Sequence, residues 1–257
     1  MFNLSPIPMP DLSGKVVLIT GAGRGIGAAA ARALVGQGAR VFAAHQPGRP
    51  FALPAGDGIE TLPLDVTSDA DVHAAVARIS DSAGQLDALI NNAGLIAPIG
   101  RLTTLGSGAL APAFDVNVMG VHRMTCAALG LLQASGGVVI NAGTGAATTP
   151  MEGWTAYCTS KAAARMLTAM CALELAGSGV QFFFLGIPPT DTDMQGEIRT
   201  AGLNPISRIA RADLVAPEVT ASIMAWLCGP GARALTEVMV DVRDDHFRAM
   251  MQERHDV

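Results

Sequence analysis

The most informative stretch of the sequence is Thr20-Gly21-Ala22-Gly23-Arg24-Gly25-Ile26-Gly27. It follows an apolar run at 15–20 that predicts a buried strand, and it opens a segment at 25–35 where Ala and Leu recur at helical spacing. Glycines let a backbone approach a pyrophosphate closely, and a helix N-terminus offers free N–H groups and a positive dipole. The strand–loop–helix context therefore favours a nucleotide-binding loop over an ordinary tight turn.

Outward from this loop, short β-branched runs alternate with longer Ala-rich segments. Continuous apolar strands between helices are typical of a parallel sheet covered on both faces, so we predict an α/β fold. The predicted strands span 15–20, 39–44, 59–64, 86–91, 138–141, 180–185 and 238–241. The predicted helices span 25–35, 69–82 with Asp69 as N-cap, 109–133, 155–176 and 216–227.

The organisation of the chain indicates a single domain over residues 1–257. There is no internal repeat, low-complexity tract or linker. Residues 1–11 carry a proline at every second position from Pro6 to Pro10, which predicts an extended arm. The segment 46–58 is also proline-rich, so we expect a loop there in place of a helix.

Composition excludes several classes of protein. Apolar residues make up 50 % of the chain and the mean hydropathy is +0.37, which excludes a disordered chain. The net charge is −5 with no Lys/Arg-rich run, so we expect no nucleic-acid partner. The longest uncharged stretch, 124–151, is interrupted by glycines and Asn141, and the N-terminus has no signal-peptide pattern. We therefore expect no membrane association.

The cysteines point to a reducing compartment. They form no CxxC pair and no zinc-ligand spacing. We expect reduced, buried thiols, no metal site and a cytoplasmic protein. The four are Cys126, Cys158, Cys171 and Cys228.

The scarcity of tyrosine and lysine makes one pair informative. Tyr157 is the only tyrosine, and the two lysines are Lys15 and Lys161. Tyr157 and Lys161 stand at i and i+4 of a predicted helix, so both project from one face. A nearby ammonium is expected to lower the pKa of a tyrosine from about 10 towards neutrality, which suits a general acid for a carbonyl oxygen. The alternative is a solvated lysine beside a half-buried tyrosine.

Four motifs together resemble the short-chain dehydrogenase/reductases, in the branch whose chains match this one in length. The glycine spacing of the first loop has the family's form, and Asn91-Asn92-Ala93-Gly94 resembles its NNAG motif. Asp65-Val66 resembles its adenine-contacting pair, and Tyr157-Cys158-Thr159-Ser160-Lys161 matches its YxxxK motif. The resemblance covers nearly the whole chain. It implies a Rossmann-type, doubly wound parallel sheet of about seven strands in the order 3-2-1-4-5-6-7.

The resemblance also implies catalytic roles. Tyr157 would donate the proton, Lys161 would hold the nicotinamide ribose, and Asn117 would fix a water that links Lys161 to bulk solvent. Thr144 stands where the family keeps a catalytic serine, and its hydroxyl can still donate to a substrate oxygen. The alternatives are a loop threonine that caps backbone and a solvent-facing asparagine.

The implied cofactor site lies at the carboxyl edge of the sheet. Taken singly, Asp65 and Asn92 could each be turn residues. Their assignment to the cofactor site rests on their occurrence together with the other motifs of the family. Pro188 stands where the family usually has glycine, while Thr192, which would contact the carboxamide, is intact. The residues expected to bind the cofactor are Gly21, Gly23, Arg24, Gly25, Ile26, Gly27, His45, Asp65, Val66, Asn92, Ala93, Gly94, Tyr157, Lys161, Pro188, Thr190 and Thr192.

The substrate end is expected to be apolar. Met151, Trp154 and Met194 should line the pocket, with Leu95 and Ile96 as additions, although each could be plain core. Residues 195–214 would form a lobe over the substrate. The family's Val-Asp-Gly-Gly ending is replaced by Val240-Asp241-Val242-Arg243, and we expect a polar tail beyond it.

Cofactor choice follows from a missing carboxylate. An enzyme that prefers NAD needs an acidic residue after the second strand, about 20 residues beyond the glycines. That position is His45, and no Asp or Glu occurs between Asp11 and Asp57. Arg24 would face a 2′-phosphate and Arg49 could reach it, although Arg24 could equally be a solvated loop residue. We therefore predict NADP(H), with NAD(H) as the second option.

The function expected from these features is an oxidoreductase that moves a hydride between a nicotinamide and a carbonyl/secondary-alcohol pair. Thr192-Asp193-Met194-Gln195 is similar to a stretch in sepiapterin-reductase-like and benzil-reductase-like members, which favours an apolar ketone or diketone. The alternative is a nucleotide-sensing binding protein that has lost turnover on the same fold. The resemblance implies a homo-oligomer, a dimer or tetramer, acting on a small molecule.

Overall fold

A parallel sheet forms the centre of the protein. The computed structural model describes residues 3–49, 51, 53, 56 and 58–252. Within them seven strands lie in the order β3-β2-β1-β4-β5-β6-β7, and every neighbouring pair is parallel, which confirms the predicted topology. The strands are β1 Val16–Ile19, β2 Arg40–His45, β3 Ile59–Pro63, β4 Ala88–Asn91, β5 Val138–Thr144, β6 Gln181–Ile187 and β7 Met239–Asp241.

Helices cover both faces of the sheet. Their bounds are α1 Gly25–Gly36, α2 Asp69–Ala83, α3 Ala111–Phe114, α4 Gly120–Ser135, α5 Thr155–Glu174, α6 Asp193–Ala201, α7 Pro217–Leu227 and α8 Asp245–Gln252. The two-residue period of a strand divides β1 between two cores. Val17 and Ile19 pack with α1 and α7, while Val16 and Leu18 pack with α2 and α4. All four are buried, which explains the continuous apolar run.

The start of α2 differs from the prediction by one residue. Ser68, not Asp69, is the N-cap, and its hydroxyl oxygen accepts a hydrogen bond from the Asp71 N–H at 3.2 Å. Asp69 is the first helical residue, where a carboxylate is favoured by the positive end of the helix. Both residue types suit both positions, so the sequence did not separate them.

The long helix predicted at 109–133 is confirmed as one continuous helical segment that ends at Ser135, but its geometry is not uniform. The chain forms a 3₁₀ turn at Ser107–Leu110, then α3, then a π-helical turn at Asp115–Met119, and only then α4. A π turn inserts one residue into the helical repeat, which side-chain periodicity does not reveal.

The polar tail expected after β7 is also wrong. The chain continues into α8, which buries Phe247 and Met251 at 1 % and 5 % exposed. The Phe247 ring lies 5.6 Å from the ring of Trp226 in an edge-on contact. The spacing of four between the two apolar residues was the available signal.

The remaining expectations concern loops and cysteines. The described residues of 46–58 hold no helix, as expected, while Pro50, Pro54 and the first two residues of the N-terminal arm lie outside the described residues. All four cysteines are free, but only Cys228 is buried, so the expectation of buried thiols fails for the other three. No described helix is both long and apolar enough to cross a membrane.

Candidate active site

The loop between β1 and α1 is built of glycines that lie against the end of β4. Gly21 has φ +65°, and a Cβ there would stand 2.8 Å from the Ala93 Cα. A Cβ on Gly27 would overlap the Gly21 carbonyl oxygen and the Asn92 side chain. Only glycine permits this close approach of backbone to backbone.

The first turn of α1 is open to an anion. Arg24 is the N-cap and makes no side-chain cap hydrogen bond, and the turn holds no acidic residue. Its free N–H groups and the positive helix end therefore face the cleft without an internal competitor. This arrangement fits a cofactor diphosphate.

Thr20 and Asn92 fasten the loop to β4. The Thr20 hydroxyl accepts from the backbone N–H groups of Asn92 and Ala93, both at 3.1 Å. The Asn92 amide donates to the carbonyls of Thr20 and Gly21, also at 3.1 Å. Asn92 thus has a structural task in shaping the loop, in addition to its expected contact with the cofactor.

One cleft of about 950 Å³ at the carboxyl edge of the sheet brings the predicted residues together. Thr144 lines it, and so do all predicted cofactor and substrate residues, including Leu95 and Ile96. Asn117 is the exception, since it lies behind the wall and is fully buried. Residues that were not individually assigned to the site also line the cleft, and two of them, Ile198 and Ile206, belong to the predicted lobe at 195–214; the six are Gln46, Arg165, Ile198, Ile206, Asp241 and Arg243.

Tyr157 and Lys161 lie one turn apart at the start of α5, 8 % and 6 % exposed. The Lys161 ammonium donates to the Ala142 carbonyl at 2.8 Å and stands 5.9 Å from the centre of the Tyr157 ring. The Trp154 ring packs edge-on against Tyr157 at 5.7 Å. The alternative of a solvated lysine therefore does not hold.

Burial sets the titration of this pair, and it reverses one expectation. Burial raises the pKa of Tyr157 to about 12, and the hydrogen bond with Thr144 offsets only part of that rise. Burial lowers the pKa of Lys161 to about 8. In both cases the charged form loses its hydration. The expected lowering of the Tyr157 pKa is thus wrong for the free protein, and Tyr157 holds its proton at neutral pH.

Thr144 fits both interpretations of its hydroxyl. It ends β5, and its oxygen accepts a hydrogen bond from the Ala146 N–H at 3.2 Å, which caps the following turn. The same hydroxyl is hydrogen-bonded to Tyr157. Since this bond lowers the pKa of Tyr157, the Thr144 hydroxyl directs its proton towards the Tyr157 oxygen, and a substrate oxygen bound at that place can accept it instead.

Asn117 lies behind the wall of the cleft and joins the loop at Leu95 to α5. Its Oδ1 accepts from the Leu95 N–H and its Nδ2 donates to the Leu95 carbonyl, both at 2.8 Å. Nδ2 also donates to the Ser160 hydroxyl at 2.9 Å, which in turn donates to the Tyr157 carbonyl at 3.0 Å. These bonds exclude the alternative of a solvent-facing side chain and use both protons of Nδ2, while Oδ1 keeps a second lone pair. Ser160 was missed, although it lies within the Tyr–Lys motif.

Arg24 lies at the mouth of the cleft but not as expected. Its guanidinium pairs with the Asp193 carboxylate at 2.9 Å, and both side chains are more than half exposed. The pair joins the glycine loop to the start of α6. The partner is 169 residues away, so no local pattern could have revealed it.

The end of the cleft beside β2 holds His45 and Asp65. The His45 ring lies 4.5 Å from Phe51, and its Nδ1 is buried with no hydrogen-bond partner among the described residues. The Asp65 carboxylate accepts from the Thr67 N–H at 2.9 Å and from Gln46 at 3.0 Å. Burial alone would raise the pKa of Asp65, but the hydrogen bonds from Thr67 and Gln46 hold it below its usual value.

The opposite end of the cleft is apolar. Ile96, Trp154 and Ile198 form a buried cluster around Tyr157, and Met151 and Met194 pack against it. Ile198 was missed because α6 was not predicted, although it stands at i+4 from Met194.

A glycine loop that leads into an open helix N-terminus and faces a buried tyrosine–lysine pair is typical of nucleotide-dependent oxidoreductases with a doubly wound sheet. A family model described as short chain dehydrogenase matches residues 15–202. The chain belongs to the short-chain dehydrogenase/reductase family, and it is a dehydrogenase or reductase of CH–OH and C=O groups that uses a nicotinamide cofactor.

Individual relatives agree with this assignment. The 2,3-dihydro-2,3-dihydroxybenzoate dehydrogenase of Escherichia coli strain K12 is 38 % identical over 190 residues, which cover 72 % of this chain and 73 % of the relative. The 3-oxoacyl-(acyl-carrier-protein) reductase of Vibrio harveyi is 31 % identical over 236 residues, covering 88 % and 94 %. The crystal structure of a 3-ketoacyl-(acyl-carrier-protein) reductase from Brucella melitensis, complexed with NADH, gives a TM-score of 0.75 at 27 % identity, covering 90 % of this chain and 97 % of that one.

Proposed function

We propose that this protein reduces an apolar ketone or diketone, or oxidises the matching secondary alcohol, with NADP(H) as the preferred cofactor. The observation that carries the proposal is Tyr157, a buried proton donor that is hydrogen-bonded to Thr144 and surrounded by the apolar end of the cleft. A group in this state can protonate a carbonyl oxygen without first taking a proton from water.

The protein's own residues divide the task at the carbonyl oxygen. A bound nicotinamide supplies the hydride. Tyr157 gives its proton to the oxygen, and the Thr144 hydroxyl donates a second hydrogen bond to it. Lys161, positive below its pKa of about 8, favours the negative charge that develops there. Asn117 and Ser160 position α5 against the loop at Leu95.

The cofactor would be held along the carboxyl edge of the sheet. The glycine loop and the first turn of α1 would take the diphosphate, Asp65 and Val66 the adenine, and Thr192 the carboxamide. His45 lines the cleft where an NAD enzyme would carry a carboxylate, and Arg49 lines it nearby. These residues support a preference for the 2′-phosphate over the free ribose hydroxyl.

Fluorescence titration with NADPH and NADH tests the preference. We expect tighter binding of NADPH, and Arg24→Ala should weaken it by about 1–3 kcal/mol while leaving NADH nearly unchanged. Asp193→Asn is the matched variant, because it frees the Arg24 guanidinium from its ion pair and should strengthen NADPH binding. Tighter binding of NADH than of NADPH by the parent protein would refute the preference.

The substrate class follows from the lining of the cleft. The side chains that pack around Tyr157 in the apolar cluster include Ile96, Met151 and Ile198, so burial favours a substrate with an apolar body. Two relatives of the chain, a 2,3-dihydro-2,3-dihydroxybenzoate dehydrogenase and a 3-oxoacyl-(acyl-carrier-protein) reductase, also act on an alcohol or a ketone.

Oxidation of NADPH and NADH with a panel of aryl ketones, cyclic ketones and diketones tests the activity. We expect turnover with at least one apolar class. Cofactor binding without turnover on the panel would instead favour the nucleotide-sensing alternative.

Two further expectations stay proposals. Met166, Met170 and Leu173 are exposed along one side of α5, which supports a homo-oligomer, a dimer or tetramer. Size-exclusion chromatography with light scattering measures this.

The free cysteines support the expected cytoplasmic location.

A further inference from the structure

We propose that Gln195 is a specificity-determining residue that accepts a hydrogen bond from a hydroxyl or N–H group of the substrate. The inference rests on the proposed function, because it assigns one more contact to the same cleft. It narrows the substrate class to ketones with a largely apolar body that also carry one hydrogen-bond donor.

Gln195 is a polar side chain in an apolar wall. It stands in α6, is only 2 % exposed and lines the cleft. Met194 and Ile198, its neighbours on α6, belong to the apolar cluster around Tyr157. A buried amide in such surroundings is costly unless both of its ends are hydrogen-bonded.

Only one end of the Gln195 amide has a partner. Nε2 donates to the Ile206 carbonyl at 2.9 Å. Because a carbonyl can only accept, this bond fixes the amide orientation and turns Oε1 away from Ile206. Within the described part of the chain, no donor reaches Oε1, and this oxygen is not fully buried but open to the cleft.

Helix capping does not account for this residue. Gln195 is the third residue of α6, a position from which glutamine often bonds back to the N-cap N–H. Here the N-cap is Thr192, and the Gln195 side chain extends forward to Ile206 instead. The turn that holds Ile206 is capped separately by Asn204, whose Oδ1 accepts from the Ile206 N–H at 3.1 Å.

A hydroxyl or N–H group of the substrate would give Oε1 the hydrogen-bond donor that the protein does not supply. One hydrogen bond contributes about 0.5–1.5 kcal/mol, which corresponds to a preference of about 2- to 12-fold. The preference should therefore be for a ketone that presents a hydroxyl or N–H over the same ketone with that donor blocked.

The test uses matched pairs of hydroxyacetophenones and methoxyacetophenones, substituted at the 2′, 3′ or 4′ position. The dissociation constant of each is measured by calorimetry with NADP⁺ present, and kcat/KM is measured with NADPH. The parent should favour the hydroxy member at one position by about 2- to 12-fold. Because each ratio is taken on one protein, a loss of folded fraction cancels.

Gln195→Met keeps the length of the side chain and removes both polar ends, so the ratio should fall to about one. Gln181→Met is the matched control, since Gln181 also donates to a backbone carbonyl, Ala232 at 3.2 Å, but lies outside the cleft. It should keep the parent ratio. No preference in the parent at any position, or an unchanged ratio in Gln195→Met, overturns the inference. If the binding ratios are as predicted but no ketone is turned over, the proposed reaction is refuted and the role of Gln195 in binding stands.

Discussion

Desolvation governs the chemistry of the two central residues. Tyr157 and Lys161 share a face of α5 and are both buried, so each favours its uncharged form relative to water. The sequence predicted their proximity from the spacing of four. It did not predict the direction of the tyrosine shift, because burial depends on Trp154, Ile96 and Ile198, which come from separate parts of the chain.

Replacing Tyr157 with Phe removes the proton donor and keeps the ring in its apolar cluster. We expect cofactor binding to persist and turnover of a ketone to fall by about 10²–10⁴-fold, the usual contribution of general acid catalysis. Steady-state kinetics with a parallel NADPH titration measures both. Activity within tenfold of the parent would exclude Tyr157 as the donor.

Thr144 can be tested by separating its shape from its hydroxyl. Thr144→Ser keeps the donor and should stay active, whereas Thr144→Val keeps the β-branched shape and should lose about 10²-fold or more in kcat. Thermal melts of both variants control for the lost cap on the Ala146 N–H. Equal rates for the parent and the Val variant would make the position purely structural.

The pH profile of ketone reduction should report Lys161 rather than Tyr157. The Lys161 pKa is lowered to about 8, so its ammonium charge is present below that pH and lost above it. Tyr157, with a pKa of about 12, stays protonated throughout this range. We therefore expect kcat for reduction to decline as the pH rises through about 8. A profile that is flat up to pH values of about 10 would contradict the assignment.

Elements whose pattern is local were predictable, and those set by distant contacts were not. The glycine loop, the strands and α5 follow from glycine spacing, apolar runs and helical periodicity, whereas the strand order follows from the family resemblance. The π turn at Asp115–Met119 is invisible to periodicity, and it places Asn117 behind the cleft wall. The Arg24–Asp193 ion pair and the hydrogen bonds between Asn117 and Leu95 join residues that are far apart in the sequence, so local patterns do not predict them.

The need for glycine in the loop can be tested by comparing alanine substitutions at the two ends of α1. Gly27→Ala would force a Cβ onto the Gly21 carbonyl and the Asn92 side chain. It should distort the diphosphate site and raise the NADPH dissociation constant by about tenfold or more, which is about 1.4 kcal/mol.

Gly36→Ala is the control, because Gly36 ends the same helix with nothing within 4 Å of a Cβ there. It should leave NADPH binding unchanged and add about 0.4–1 kcal/mol of stability in a denaturant titration. Equal effects of the two substitutions on NADPH binding would show that the close approach at Gly27 is not needed.

Across the whole molecule, different strands of the sheet support different parts of the site. Strands β1 and β2 present the glycine loop and His45, while β4 and β5 support Asn92 and Thr144. Helix α5 then carries Tyr157 and Lys161 to the same edge, and α6 closes the far side with Gln195 and Ile198. The cleft lies where the order of the strands reverses, which is where doubly wound sheets bind nucleotides.

Hydride transfer itself can be followed with NADPH that carries deuterium at both hydrogen positions of nicotinamide C4 and with the ketone panel as acceptor. Mass spectrometry of the product alcohols shows where the label goes. We expect one deuterium on the carbinol carbon with the parent protein and almost none with Tyr157→Phe, although both bind NADPH. Tight NADPH binding by the parent with no deuterium in any alcohol would contradict the proposed carbonyl reduction.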